Sequence, residues 1–299
     1  MNETNETYGV DGRRAEVTGS GGRAGTAGRD GNGGGAEQAG DDGQLVRSAY
    51  ERGVTTLTLD SPHNRNALSK GLVAGLRAGL AQAAADDAVR AVLLTHTGNT
   101  FCAGADLREG SGSPAELAAL LRSIVELPKP VVARVEGHVR AGGTGLLGAC
   151  DISVAGPGAS FAFTEARIGV APAVISMPLL PRLDARAAAR YYLTGERFGA
   201  AEAARIGLVT LAAEEGADGG TGASGKGVDA LLEPVLDGLR RGSPQGLAES
   251  KRLVTAEVLR TFDRDTDSLA ELSARLFASD EAREGMTAFL ERREPAWVP

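Results

Sequence analysis

Apolar side chains first fall into a pattern at Val54-Thr55-Thr56-Leu57-Thr58-Leu59, whose alternation is that of a half-buried strand. The period then lengthens. Leu72, Val73, Leu76, Leu80 and Ala84 recur at helical spacing, and Ser69 stands where it can cap that helix, after a turn over Pro62 to Ala67. Val89 to Thr95 reads as the next strand. Strand, helix and strand follow again through Val131–Val135, a short helix from Gly142, and Ile152–Ala155. Alternation of this kind predicts an α/β architecture. Residues 178–206 read as helical, most regularly from Arg186 to Leu193. Helices over Val228–Arg241, Pro244–Arg260, Asp265–Ala278 and Asp280–Arg292 close the chain.

Two stretches lack either period. Residues 1–43 carry scarcely an apolar side chain and cannot bury enough surface to offset their conformational entropy, so a disordered Gly-rich tail is expected. Residues 214–227 are rich in Gly, Ala and Asp and read as a flexible loop. The resulting plan is a tail over 1–43, a core over 44–235 and a helical region over 236–299.

Composition narrows the partners. The 42 glycines concentrate in the tail and the loop, and a net charge of −7 without a basic stripe argues against nucleic acid. Cys102 and Cys150 are the only cysteines, and the N-terminus lacks a secretory pattern, so reduced thiols and a cytoplasmic location are expected. No apolar run approaches the roughly 18 residues of a membrane span. His63, His96 and His138 are scattered, away from any Cys or carboxylate at ligand spacing, so no metal is expected.

The candidate chemistry lies in two small-residue turns. Phe101-Cys102-Ala103-Gly104-Ala105-Asp106 follows the run Ala91–Leu94, and Gly137-His138-Val139-Arg140-Ala141-Gly142-Gly143-Thr144-Gly145 follows Val131–Val135. Turns like these can aim bare N–H groups at one point, as acyl-transfer or enolate chemistry requires of an oxyanion site. Two lookalikes are set aside. Gly143 to Gly148 fits G-x-G-x-x-G, with Glu165 about twenty residues on, but Asp151 opens a new strand before a full helix fits. Gly220 to Lys226 lacks the Ser or Thr of a phosphate loop, since Gly227 stands there. No G-x-S-x-G elbow occurs.

With Ser61–Leu68, Leu127–Val131, Gly137–Asp151, Phe161–Glu165, Ile168–Pro172, Tyr192–Glu196 and Arg283–Arg293, these turns resemble the crotonase superfamily, the enoyl-CoA hydratase/isomerase family, from about residue 45 onward. The resemblance implies a right-handed spiral of ββα units and a C-terminal helical oligomerisation region, in a homotrimer or homohexamer. It implies an acyl-CoA thioester as ligand, with no other cofactor. The oxyanion N–H groups carry over to Ala105 and Gly142, and the acid–base carboxylate to Glu165. Arg65, Ala67, Ala103, Asp106, Leu107 and Arg108 would line the ligand beside Ala105 and Gly142. The first of the family's two glutamates falls on Gly145, which cannot transfer a proton. Residues 165–176 resemble a branch of methylglutaconyl-CoA or carboxygeranoyl-CoA hydratases that also has Gly there. The expectation is an enoyl-CoA hydratase. The alternatives are a Δ3,Δ2-enoyl-CoA isomerase, for which one base suffices, a thioester hydrolase, and a silent acyl-CoA-binding paralogue.

Overall fold

A computed structural model describes residues 44–106, 112–214 and 224–299. The expected tail over 1–43, the phosphate-loop lookalike up to residue 223, and the predicted ligand contacts Leu107 and Arg108 lie outside the described residues.

Strands β1 (Val46–Glu51) and β2 (Val54–Leu59) form an antiparallel hairpin, followed by helix α1 (Lys70–Ala85). Ser69 caps α1 as the sequence predicts, its Oγ accepting the Leu72 N–H at 3.3 Å. Leu72, Leu76 and Leu80 are buried along one face, each contributing about 1.5–3 kcal/mol by leaving water.

A two-strand, one-helix unit then repeats. It appears as β3 (Ala91–His96), β4 (Thr100–Cys102) and α2 (Pro114–Glu126), and again as β5 (Val131–Val135), β6 (His138–Arg140) and α3 (Gly142–Ala149). The third unit is β7 (Ile152–Ala155), β8 (Ser160–Ala162), a 3₁₀ turn over Glu165–Ile168 and α4 (Ser176–Leu179). The remaining elements are α5 (Ala185–Thr194), β9 (Phe198–Gly199), α6 (Ala200–Arg205), β10 (Leu211–Ala212), α7 (Ser224–Arg241), α8 (Pro244–Val254), α9 (Ala256–Phe277) and α10 (Asp280–Glu291).

The first strand of each unit joins one sheet, in the order β1-β2-β3-β5-β7-β10, and the second joins another, in the order β4-β6-β8-β9. The α/β spiral of ββα units expected from the sequence is therefore present. Both faces of the larger sheet are covered. Val92, Leu94, Val131, Ala133 and Val135 enter the main core, while Leu93 and Val132 point the other way. There they meet Val228, Leu232 and Leu236, one stripe of α7.

Three boundaries differ from expectation. The region 178–206 contains β9, only two residues long, which pairs with β8 and carries no readable period. Helix α7 begins at Ser224, inside the stretch 214–227 expected as a loop, of which residues 215–223 lie outside the described residues. Helices α8 and α9 break at Thr255 rather than after Arg260. The Thr255 Oγ1 donates back to the Lys251 carbonyl at 2.8 Å, while apolar spacing runs on across the break.

Candidate active site

The smaller sheet positions the chemistry. Strands β4, β6 and β8 are parallel neighbours, so their C-terminal ends lie side by side, about 5 Å apart. Ala105 follows β4, Gly142 follows β6 and Glu165 follows β8. All three line one cavity of about 950 Å³.

The first two turns touch. Gly104 has φ +93°, and a Cβ placed on it would lie 2.7 Å from the Ala141 Cβ and 3.1 Å from the Gly142 nitrogen. Only glycine lets the turns approach so closely. Ala141 itself has φ 47° and ψ −125°, a conformation that costs about 1–3 kcal/mol for a residue with a Cβ. Its strain turns the chain from β6 into α3. Neither the Ala105 nor the Gly142 N–H donates to another described backbone carbonyl outside the regular elements, and the first N–H groups of a helix have no acceptor within it.

A network holds the β4 turn. Leu68 N–H donates to Gly104 O at 2.7 Å and Ala103 N–H to Arg65 O at 3.1 Å. Beneath them, Asn66 is fully buried. Its Oδ1 accepts the Ser61 N–H at 2.7 Å, and its Nδ2 donates to the carbonyls of Thr97 and Thr100 at 3.0 and 2.8 Å. Asn64 Nδ2 donates to Asp106 Oδ2 at 3.2 Å. Arg65, Ala67, Ala103 and Asp106, the described residues expected beside the ligand, line the same cavity.

Glu165 opens the 3₁₀ turn and is 7 % exposed, with its Oε2 buried and without a hydrogen-bond partner. Burial pushes its carboxyl up to about 7, because an isolated carboxylate loses hydration there. The preceding Phe163 packs on Tyr192 at 4.6 Å between ring centroids.

Gly145 does not line the cavity. A Cβ there would stand 2.5 Å from the Ile175 Cγ2 and 3.2 Å from the Leu121 Cδ1, so a larger side chain has no room. The place where a second glutamate would stand is filled by Ile175, a blockage that the glycine alone does not announce.

The walls differ in character. Leu117, Val170, Val174 and Ile175 form an apolar side, while His138, Arg140 and Arg197 form a basic one. His138 and Arg140 both stand in the run that leads into Gly142. A single arginine there carries no pattern, and Arg197 arrives from β9, some sixty residues on.

An enoyl-CoA hydratase/isomerase family model matches residues 49–298. An enoyl-CoA hydratase of Mycobacterium tuberculosis is 31% identical over 86% of this chain and 97% of its own. The 1,2-epoxyphenylacetyl-CoA isomerase of Escherichia coli is 29% identical, over 85% of this chain and 98% of its own. A crystal structure of an enoyl-CoA hydratase from Mycobacterium avium superposes with a TM-score of 0.76. It is 57% identical and covers 85% of this chain and 99% of its own.

Proposed function

The chain belongs to the enoyl-CoA hydratase/isomerase family, and we propose that within it the protein is an enoyl-CoA hydratase, adding water across the 2,3-double bond of an enoyl thioester. The thioester oxygen accepts the N–H groups of Ala105 and Gly142, which stabilise the negative charge that develops there. Each such donor contributes about 2.7–4 kcal/mol in the transition state. The N-terminal end of α3 adds positive potential at the same point. The Glu165 carboxylate takes a proton from the water that attacks the β carbon and returns it to the α carbon.

One observation carries this reading. A buried carboxyl oxygen without a partner lines the same cavity as the two N–H turns. A carboxyl near 7 is matched to moving protons at neutral pH. Because the carboxylate form is the working one, kcat/KM is expected to rise with pH through about 7. The same reading takes the protein to be a cytoplasmic homotrimer or homohexamer that needs no cofactor beyond the CoA of its substrate.

A second reading, Δ3,Δ2-enoyl-CoA isomerase, is favoured by the packing of Ile175 against Gly145, which leaves Glu165 without a second glutamate opposite it. One base can carry a proton from the α to the γ carbon. A panel of 2-enoyl and 3-enoyl thioesters decides between them, with hydration read as loss of enoyl absorbance and migration by product chromatography. Double-bond migration without water addition would sink the hydratase reading.

A further inference from the structure

A second cavity, of about 180 Å³, lies at the C-terminal end of α3 and shares no lining residue with the cavity of Ala105, Gly142 and Glu165. The eight residues of α3, at about 1.5 Å each, place it roughly 12 Å from Gly142. Asp151, Ser153, Arg182 and Thr210 supply its polar wall. Arg182 lies between α4 and α5, and its Nε and Nη2 are buried without a hydrogen-bond partner. Asp151 Oδ1 is in the same condition, on a side chain only 9 % exposed. Ser153 and Thr210 each accept the other's backbone N–H through the hydroxyl oxygen, at 3.2 and 3.0 Å, so each hydroxyl hydrogen can still donate.

Charge and donor count describe what the cavity lacks. Lys251 compensates Asp151 across 2.8 Å, which leaves Arg182 as the uncompensated charge. Asp184, two residues on, uses its Oδ1 to accept the Ala187 N–H. The Cys150 thiol in the same wall is pushed up to about 12 by burial and stays neutral. A buried guanidinium edge that makes no hydrogen bond is costly, and the Nε–Nη2 edge is one that grips two oxygens of a single oxyanion. Asp151 Oδ1 makes the opposite demand, because a carboxylate oxygen only accepts. One small group meets both demands if it carries two bare oxygens and a hydroxyl. The volume is larger than a single water needs.

We infer that this cavity is a binding site for a small oxyanion that retains a proton, hydrogenphosphate or hydrogencarbonate. Arg182 Nε and Nη2 donate to two of its oxygens, and its hydroxyl donates to Asp151 Oδ1. The hydroxyls of Ser153 and Thr210 are further donors in the same wall. The ligand ties the Arg182 segment to the end of α3, and its binding does not depend on which reaction Glu165 serves.

Thermal melts of the full chain at neutral pH and constant ionic strength test it, with phosphate, bicarbonate and sulfate titrated separately. Phosphate or bicarbonate should raise the wild-type midpoint saturably, by about 3 °C or more at ten times its dissociation constant. The anion that saturates at the lower concentration is the ligand. Sulfate carries no proton for Asp151 Oδ1 and should give no saturable shift, a comparison that needs no variant. Arg182→Gln should abolish the response to both protonated anions. Asp151→Asn can keep its oxygen on the Val131 N–H and Lys251 and turn its NH₂ into the cavity, so it should admit sulfate. No saturable response in the wild type, or a sulfate response equal to that of phosphate, overturns the site. A response that Arg182→Gln keeps also overturns it and places the anion elsewhere on the chain. If no anion acts and Arg182→Gln instead alters the sedimentation coefficient, the guanidinium edge belongs to a contact between copies, and the site is again overturned.

Discussion

The two ends of α3 each have a buried carboxylate beside them, and only one of the two is held by a charged partner. At the N-terminal end, beside Gly142, Glu165 Oε2 has no partner. Past the C-terminal end, Asp151 Oδ2 accepts the Val131 N–H at 2.7 Å and the Lys251 ammonium at 2.8 Å, while its Oδ1, like Glu165 Oε2, has no hydrogen-bond partner. Lys251 in turn donates to the carbonyls of Ile124 and Lys129 at 2.8 and 3.1 Å. Burial pushes Asp151 up and Lys251 down, and their contact pulls each back toward its ionised form. Asp151 therefore pins α9's neighbour α8 to the sheet, while Glu165, with no cation beside it, is left to gain and lose a proton. A paired buried charge fixes structure; an unpaired one is available for chemistry.

The sharpest way to break this contrast is Glu165→Gln. Enoyl-CoA turnover is expected to fall about 10²–10⁴-fold, the usual contribution of general acid–base catalysis. The stability effect should run the other way. Because burial lifts Glu165 from its ordinary 4.5 to about 7, the folded state holds the proton more tightly than the unfolded chain. Wild-type stability is therefore lost as pH rises from 4.5 to 7, by on the order of 3 kcal/mol, and Gln escapes that loss. Thermal melts should show Glu165→Gln more stable than wild type at pH 8 and equal to it at pH 4. A variant destabilised at pH 8 would mean that Glu165 has a structural partner after all.

At the other end the sign reverses. Lys251→Met strands Asp151 with a single backbone donor and should cost about 3–5 kcal/mol in urea unfolding, without a gain at any pH. Adding Asp151→Asn should recover most of that loss, since it removes the stranded charge. If the single variant unfolds at the wild-type midpoint, the network is ornamental and the contrast fails.

The sequence made the Gly142 end of α3 far more legible than the Lys251 end. Glu165, Ala105 and Gly142 sit in motifs a few residues long, and it is the family resemblance of those motifs that singles each of them out. Lys251 and Asp151 lie a hundred residues apart, and no period links them. The same division holds for the fold. Strands β3, β5 and β7 are covered on both faces and read as apolar runs. Strand β1 buries only Val46 of its six residues, so its edge position hides it from any hydrophobic pattern. Ile175 and Arg197 were missed for the reason Lys251 was: their meaning lies in what they face.

The middle of α3 offers a smaller test. Gly145→Ala gains about 1 kcal/mol of helix propensity but drives a Cβ to 2.5 Å from the Ile175 Cγ2. Overpacking of a fixed β-branched side chain costs about 1–3 kcal/mol, so a net loss of about 1 kcal/mol is expected from the unfolding midpoint. Gly145→Glu should be worse and add no rate, which would show that the single-carboxylate site is enforced by packing.

The smallest expected effect is at Ala141, where α3 begins. Its φ of 47° and ψ of −125° suit glycine, so Ala141→Gly should relieve about 1–3 kcal/mol of strain. The freer unfolded chain takes back about 0.4–1 kcal/mol, leaving a gain near 1 kcal/mol at the midpoint. Turnover is the more telling readout. The strained residue aims the Gly142 N–H, and relaxing it lets that donor wander, so kcat should fall modestly while the protein becomes more stable. Stability and turnover then move in opposite directions at this end of α3, as they do for Glu165→Gln, whereas at the Lys251 end no substitution should raise stability. If Ala141→Gly lowers both, the strain is not stored for the site, and the two ends of the helix are built alike.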